Sequence, residues 1–114
     1  MNQTISREAL AASLQSPTPP VVLEALPEKY YAQKHLPGAL HMPHDQVDAL
    51  AAGLIPSRSA PVVVYCASAT CQNSHIAARR LTQLGYENVR VYAGGKQDWE
   101  AAGLPFDVSV PVGA

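Results

Sequence analysis

A short β-branched and aromatic run, Val62-Val63-Val64-Tyr65, passes directly into a loop of small polar residues and then into a helical pattern. Apolar at every position, the run reads as a strand buried on both faces, the habit of a central strand in a parallel sheet. Ala77, Ala78, Leu81 and Leu84 recur at helical spacing in a segment that begins near Ser74, and Gly85 stands where a C′ glycine would end it. The loop between, residues 66–73, opens with one of the chain's two cysteines, Cys66, and contains the other, Cys71. A loop that runs from a strand's carboxyl end into a helix N-terminus turns backbone N–H groups inward and forms a cradle for an anion. A thiol held there is expected to have a lowered pKa and to react as the thiolate.

The rest of the chain repeats the alternation. Residues 6–15 form an amphipathic helix with Ser6 as candidate N-cap, closed by the Ser-Pro-Thr-Pro-Pro run at 16–20. A mostly apolar strand follows over 21–26, and Pro27 opens a helix over 28–33. The turn at 35–40 leads to a short strand closed by Pro43, and residues 45–52 form a helix. After the cysteine loop and its helix come a strand over 88–92 and a last helix, which follows Gly94-Gly95, contains Trp99 and ends at Gly103-Leu104-Pro105. Strands alternating with helices of this length specify an α/β fold, an open and mostly parallel sheet flanked by helices on both faces. In such sheets ligands bind beyond the carboxyl ends of the strands, which is where Cys66 stands.

Size and charge narrow the classes. A chain of 114 residues suits one domain, with a core over about 5–105 and a tail over 106–114. Eight basic and nine acidic residues, without a basic cluster, give no footprint for nucleic acid. No apolar run reaches membrane-spanning length, and the N-terminus lacks the pattern of a secretory signal, so a cytoplasmic location is the expectation. In that compartment two cysteines read as reactive thiols rather than as a standing disulfide.

These pieces together resemble the rhodanese-like (sulfurtransferase) domain, over nearly the whole chain. The segment 31–43, Tyr-Ala-Gln-Lys-His-Leu-Pro-Gly-Ala-Leu-His-Met-Pro, is similar to the family's Y-x-x-x-H-I-P-G-A-x-x-x-P signature. Val63-Val64-Tyr65-Cys66 resembles its active-site strand and nucleophile. Ala77-Ala78, Leu84-Gly85-Tyr86, Asn88-Val89, Gly94-Gly95, Trp99 and Ala102-Gly103-Leu104-Pro105 match its C-terminal half. The resemblance implies a five-stranded parallel sheet and transfer of a sulfane sulfur through a persulfide on Cys66. The donor would be thiosulfate or a persulfide, the acceptor a thiol, a protein cysteine or another thiophile, and no cofactor is implied. Three departures stand out. Glu24-Ala25-Leu26 replaces the family's D-V-R, so its usual acid–Arg pairing cannot form; the cysteine loop is about two residues longer; and no Arg or Lys lies between Cys66 and Ser74. The last departure argues against the oxyanion chemistry of the related phosphatases and arsenate reductases, which bind their substrates with an Arg.

Within the site, the backbone and side chains of Ala67, Ser68, Ala69, Thr70, Gln72, Asn73 and Ser74 are the candidate substrate- and anion-binding loop. Cys71 is the candidate resolving thiol, able to convert a Cys66 persulfide to a loop disulfide with release of sulfide, against the blander reading of a spectator. Metal ligation by the two cysteines lacks a second ligand pair at finger spacing, so no metal is expected. His75 and Arg79 are candidate tuning groups, each weighed against a solvated helix face. His35 reads as structural, bonded to backbone, His41 and His44 as surface residues, and Tyr65 and Trp99 as core. A redox- or persulfide-responsive module built on a Cys66–Cys71 disulfide, and a non-catalytic binding domain, are the rival readings.

Overall fold

The computed structural model describes residues 3–108. Five strands form one sheet: β1 (Gln3–Thr4), β2 (Val21–Glu24), β3 (Leu40–His41), β4 (Val62–Tyr65) and β5 (Val89–Tyr92), in the order β1-β5-β4-β2-β3. Every pairing is parallel. The five helices are α1 (Arg7–Leu14), α2 (Glu28–Gln33), α3 (Val47–Leu54), α4 (Asn73–Gln83) and α5 (Gly95–Ala101).

Strand β4 is the centre, bonded to β2 on one side and β5 on the other, and all four of its side chains are buried. Its residues alternate between two cores, as a pleated strand requires. Val62 and Val64 pack with Val47 and Ala51 of α3 and Ala77, Ala78 and Leu81 of α4. Val63 and Tyr65 face the other side, with Leu10 of α1, Tyr92 of β5 and Trp99 of α5. A strand covered on both faces must be apolar throughout, and that is why Val-Val-Val-Tyr carries no alternation.

Local signals act as the sequence indicates at several ends. The Ser6 hydroxyl accepts from the Ala9 N–H at 3.1 Å and caps α1. Gly85, at φ +94°, ends α4, and the Tyr86 N–H reaches back to the Leu81 carbonyl at 3.1 Å. Three elements differ from expectation, and the first is β2, which ends at Glu24 rather than at 26. Helix α3 starts two residues later than the pattern suggests, because residues 43–46 close a turn first, with the Gln46 N–H on the Pro43 carbonyl at 3.0 Å. Strand β1 is too short to leave a periodic signal and exists through its pairing with β5. The expected tail is divided. Phe106 packs on the second core and Asp107 bridges His35 in antiparallel fashion, while residues 109–114 lie outside the described residues.

Candidate active site

Cys66 follows β4 directly, so the carboxyl end of the most buried strand delivers its side chain to the base of the loop. The residue is 1% exposed. Its thiol donates to the Cys71 carbonyl at 3.3 Å and lies 3.4 Å from the Ser74 hydroxyl in the first turn of α4. The loop is therefore curled over the sulfur, with residue 71 as its lid. Both cysteines are free thiols, and Cys71 is half-buried where Cys66 is closed off.

This closure reverses the expected ionisation. Burial pushes the Cys66 thiol above the ordinary thiol range, and the neighbouring Cys71 thiol pushes it the same way. The Ser74 hydroxyl and the Ser74 N–H pull it back down, by less. The lowered pKa expected from the cradle is not realised, since desolvation outweighs the donors that reach the sulfur. Cys66 rests as a neutral thiol.

The remaining loop residues divide. The Cys71 N–H is taken by the Ser68 carbonyl at 3.1 Å, which tightens the turn rather than facing a ligand. The Ser68 and Thr70 hydroxyls bond each other at 3.1 Å at the surface. Ala67, Ala69 and Gln72 are exposed. The Asn73 amide, a candidate donor to substrate, instead donates to the Ala25 carbonyl at 3.2 Å and ties the loop to the end of β2. His75 is half-buried in the first turn of α4. Arg79 is exposed while its neighbours Ala77 and Ala78 enter the core, and Arg80 beside it is bound by Asp48.

Sequence reasoning missed the cation that does reach this end of the sheet. The Lys96 ammonium lies 2.9 Å and 3.0 Å from the two oxygens of Glu24 and 2.8 Å from the Tyr30 carbonyl. Glu24 is fully buried, and its first oxygen also accepts from the Tyr65 hydroxyl at 2.7 Å. That hydroxyl in turn accepts from the Leu36 N–H at 3.0 Å, and burial with the Glu24 charge holds the phenol far above its usual range. Tyr65 is thus core, as expected, with a polar tip whose role the sequence did not disclose. The backbone of the same lysine donates to the Cys66 carbonyl at 3.0 Å, and the Gln97 N–H donates to that of Ala67 at 2.9 Å. Gly95 makes this approach possible: a Cβ there would stand 2.3 Å from the Cys66 oxygen. The signal available in the sequence was Gly94-Gly95 following a strand, a place where backbones meet closely.

Two histidines lie against backbone carbonyls. His35 Nδ1 lies 2.9 Å from the Tyr31 carbonyl, and its ring stacks on Tyr31. His41 is half-buried rather than a plain surface residue, with Nε2 2.7 Å from the Leu26 carbonyl. Among the described residues no group of side chains is arranged to hold a metal ion, and no helix is long and apolar enough to cross a membrane.

A strand-borne cysteine curled under the N-terminus of the following helix, on a five-stranded parallel sheet, is accompanied by a family match. The rhodanese-like domain model fits residues 6–102. The chain belongs to the rhodanese-like domain family. A thiosulfate sulfurtransferase of Pseudomonas aeruginosa has a similar structure, with a TM-score of 0.84 and 26% identity over 95% of this chain and 20% of that one. The rhodanese-like domain of the Anabaena protein Alr3790 superimposes with a TM-score of 0.80 at 26% identity, covering all of this chain and 88% of that one. Among curated proteins, the HTH-type transcriptional regulator Rv0324 of Mycobacterium tuberculosis is 33% identical over 92 residues. The match covers 81% of this chain and 39% of the regulator. The rhodanese-like chain thus corresponds to less than half of the curated relative that it matches, and to a fifth of the Pseudomonas enzyme.

Proposed function

We propose that this rhodanese-like domain moves a sulfane sulfur from a small donor to a thiophilic acceptor through a persulfide on Cys66. The observation that carries the reading is the position of the Cys66 sulfur, after the central strand and against the Ser74 hydroxyl and N–H at the start of α4. A negative persulfide formed there would be met by the amide end of the helix, and opening of the loop would turn further N–H groups toward it. A thiolate attacks the donor's outer sulfur, the donor's S–S bond breaks, and the sulfur remains on Cys66 until an acceptor thiol takes it. With no basic residue between Cys66 and Ser74, and Lys96 bound to Glu24, a persulfide donor of low charge fits better than the thiosulfate dianion. The acceptor is a thiol, free or on a protein. The protein incubated with a persulfide donor is expected to gain one sulfur atom by intact mass, and Cys66→Ser is expected to lose turnover with every donor. Unchanged turnover in that variant would exclude the assignment.

A second reading is supported by the contact of the Cys66 thiol with the Cys71 backbone and by the regulator among the relatives. In it the domain responds to persulfide or oxidant by closing a Cys66–Cys71 disulfide. A thiol titration after mild oxidation separates the two: loss of both free thiols in a monomer favours the responsive module.

A further inference from the structure

The reaction center has two thiols of opposite accessibility in one loop. Cys66 is closed under the loop, and its sulfur donates to the backbone carbonyl of the very residue, Cys71, that bears the second thiol. Cys71 is half-buried, and its backbone carbonyl lies 3.3 Å from the Cys66 sulfur, so the second thiol belongs to the residue that covers the first. A donor from solution therefore meets Cys71 first. For Cys66 to attack the donor itself, the turn held by the Cys71 N–H on the Ser68 carbonyl and the contact of Cys66 with the Cys71 carbonyl would have to open.

We infer that Cys71 is the entry thiol of a two-step relay: it takes the sulfane sulfur from the donor and passes it inward to Cys66, which stores it out of solvent. The inference rests on the persulfide reading above. In the first step the Cys71 thiolate attacks the outer sulfur of a persulfide R–S–SH; the donor's S–S bond breaks, RS⁻ leaves, and Cys71–S–SH remains. In the second, the Cys66 sulfur attacks the outer sulfur of Cys71–S–SH. The S–S bond on Cys71 breaks, and Cys71 leaves as a thiolate that takes up the proton given up by Cys66. Each step begins and ends with one thiol and one persulfide, so neither an oxidant nor a reductant is consumed.

The arrangement explains why the loop has a second cysteine and lacks a cation. Transfer between neighbouring sulfurs replaces a diffusing anionic donor with a tethered one, at high effective concentration, so the inner thiol needs no positive charge to capture it. It also gives the neutral resting state of Cys66 a use. A thiol that ionises reluctantly is a poor target for oxidants and alkylators, and here it is called on only by a sulfur already alongside it.

The test follows sulfur residue by residue. The full chain is mixed with cysteine persulfide, quenched with an alkylating agent at successive times, and the two cysteine-containing states are resolved by peptide mass spectrometry. The relay predicts sulfur on Cys71 first and on Cys66 later in the wild-type protein. It predicts that Cys66→Ser holds its sulfur on Cys71, and that Cys71→Ser loads Cys66 about tenfold more slowly or worse. The order of labelling in the wild type needs no variant to fold. Loading of Cys66 at the wild-type rate in Cys71→Ser would overturn the relay and leave the sulfurtransferase reading intact. A Cys66–Cys71 disulfide with one sulfide released per chain would overturn it in favour of the responsive module. A wild-type protein that never carries sulfur on Cys66 would overturn the relay and the proposed function together.

Discussion

Two polar groups stand side by side at the carboxyl ends of neighbouring central strands, and the fold treats them in opposite ways. Glu24 ends β2, opposite Tyr65 in the register, and Cys66 is the next residue after Tyr65. The carboxylate is fully buried, yet it is charged-partnered by Lys96 and hydrogen-bonded by Tyr65. The thiol is almost equally buried but has only weak neutral partners, the Cys71 carbonyl and the groups of Ser74. The difference shows how the Lys96 cation is used at this end of the sheet. Lys96 fixes the platform under the loop through both its side chain and its backbone, and the sulfur is left uncharged. Geometry is held by charge, and the proposed chemistry is left to a neutral group.

The strongest way to break this comparison is to unpair the carboxylate. Lys96→Met leaves Glu24 buried with one hydrogen bond and no countercharge, and removing one member of a buried pair costs about 3–5 kcal/mol. The lysine side chain is 11% exposed, so solvent does little to soften the loss. A urea titration should show a drop of that size, and Glu24→Gln placed on top should restore part of it by removing the stranded charge. On the thiol side, Cys66→Ser should cost no more than about 1 kcal/mol, because a hydroxyl can still donate to the Cys71 carbonyl. Similar losses for the two variants would mean that the platform is not held by the ion pair.

A smaller effect is expected where the platform touches the loop. Gly95 has φ +63° and a Cβ there would stand 2.3 Å from the Cys66 carbonyl oxygen; Gly103 has φ +73° and open space around it. Alanine at either position meets the left-handed backbone penalty of about 1–2 kcal/mol. Only at 95 must backbone also move, so Gly95→Ala should unfold at lower urea than Gly103→Ala by roughly a further 1 kcal/mol. Under the proposed function it should also slow sulfur loading, since the atom displaced belongs to Cys66 itself. Equal stabilities would remove the close approach from the account.

What could be read from the sequence, and what could not, follows the same division. The central strand, the helix behind it, the Ser6 cap and the Gly85 stop are local signals, written in a few adjacent residues and realised as such. The position of Cys66 after β4 is equally local. The Glu24–Lys96 pair joins residues 72 apart, and nothing in either neighbourhood announces the other. A departure from the family motif at 24–26 was visible; the partner that compensates for it was not. The thiol's ionisation was misjudged for a related reason. The amide-rich start of α4 is a local feature and argues for a thiolate, but the cover that desolvates the sulfur comes from how the whole loop folds back. Asn73 looked like a substrate donor for want of the Ala25 carbonyl, which only tertiary structure brings to it.

The finest adjustment of the comparison is Ser74, whose hydroxyl and N–H are the groups that favour the thiolate against burial. Ser74→Ala removes the hydroxyl, at a stability cost of about 1 kcal/mol for a buried neutral hydrogen bond. In a Cys71→Ser background, so that one thiol is followed, Cys66 alkylation in the parent should rise with pH beyond the ordinary thiol range, because burial holds the proton on. Adding Ser74→Ala should move that profile to still higher pH. The stability consequence has a definite sign. As pH climbs past the ordinary thiol value the unfolded chain releases its Cys66 proton while the folded chain keeps it, so the folded state loses stability across that interval. Cys66→Ser should flatten that part of the stability–pH curve. A Ser74→Ala profile unmoved, or moved to lower pH, would mean that the hydroxyl does not act on the sulfur. The backbone N–H of residue 74, which the substitution leaves in place, would then be the one group of Ser74 that opposes burial at the sulfur.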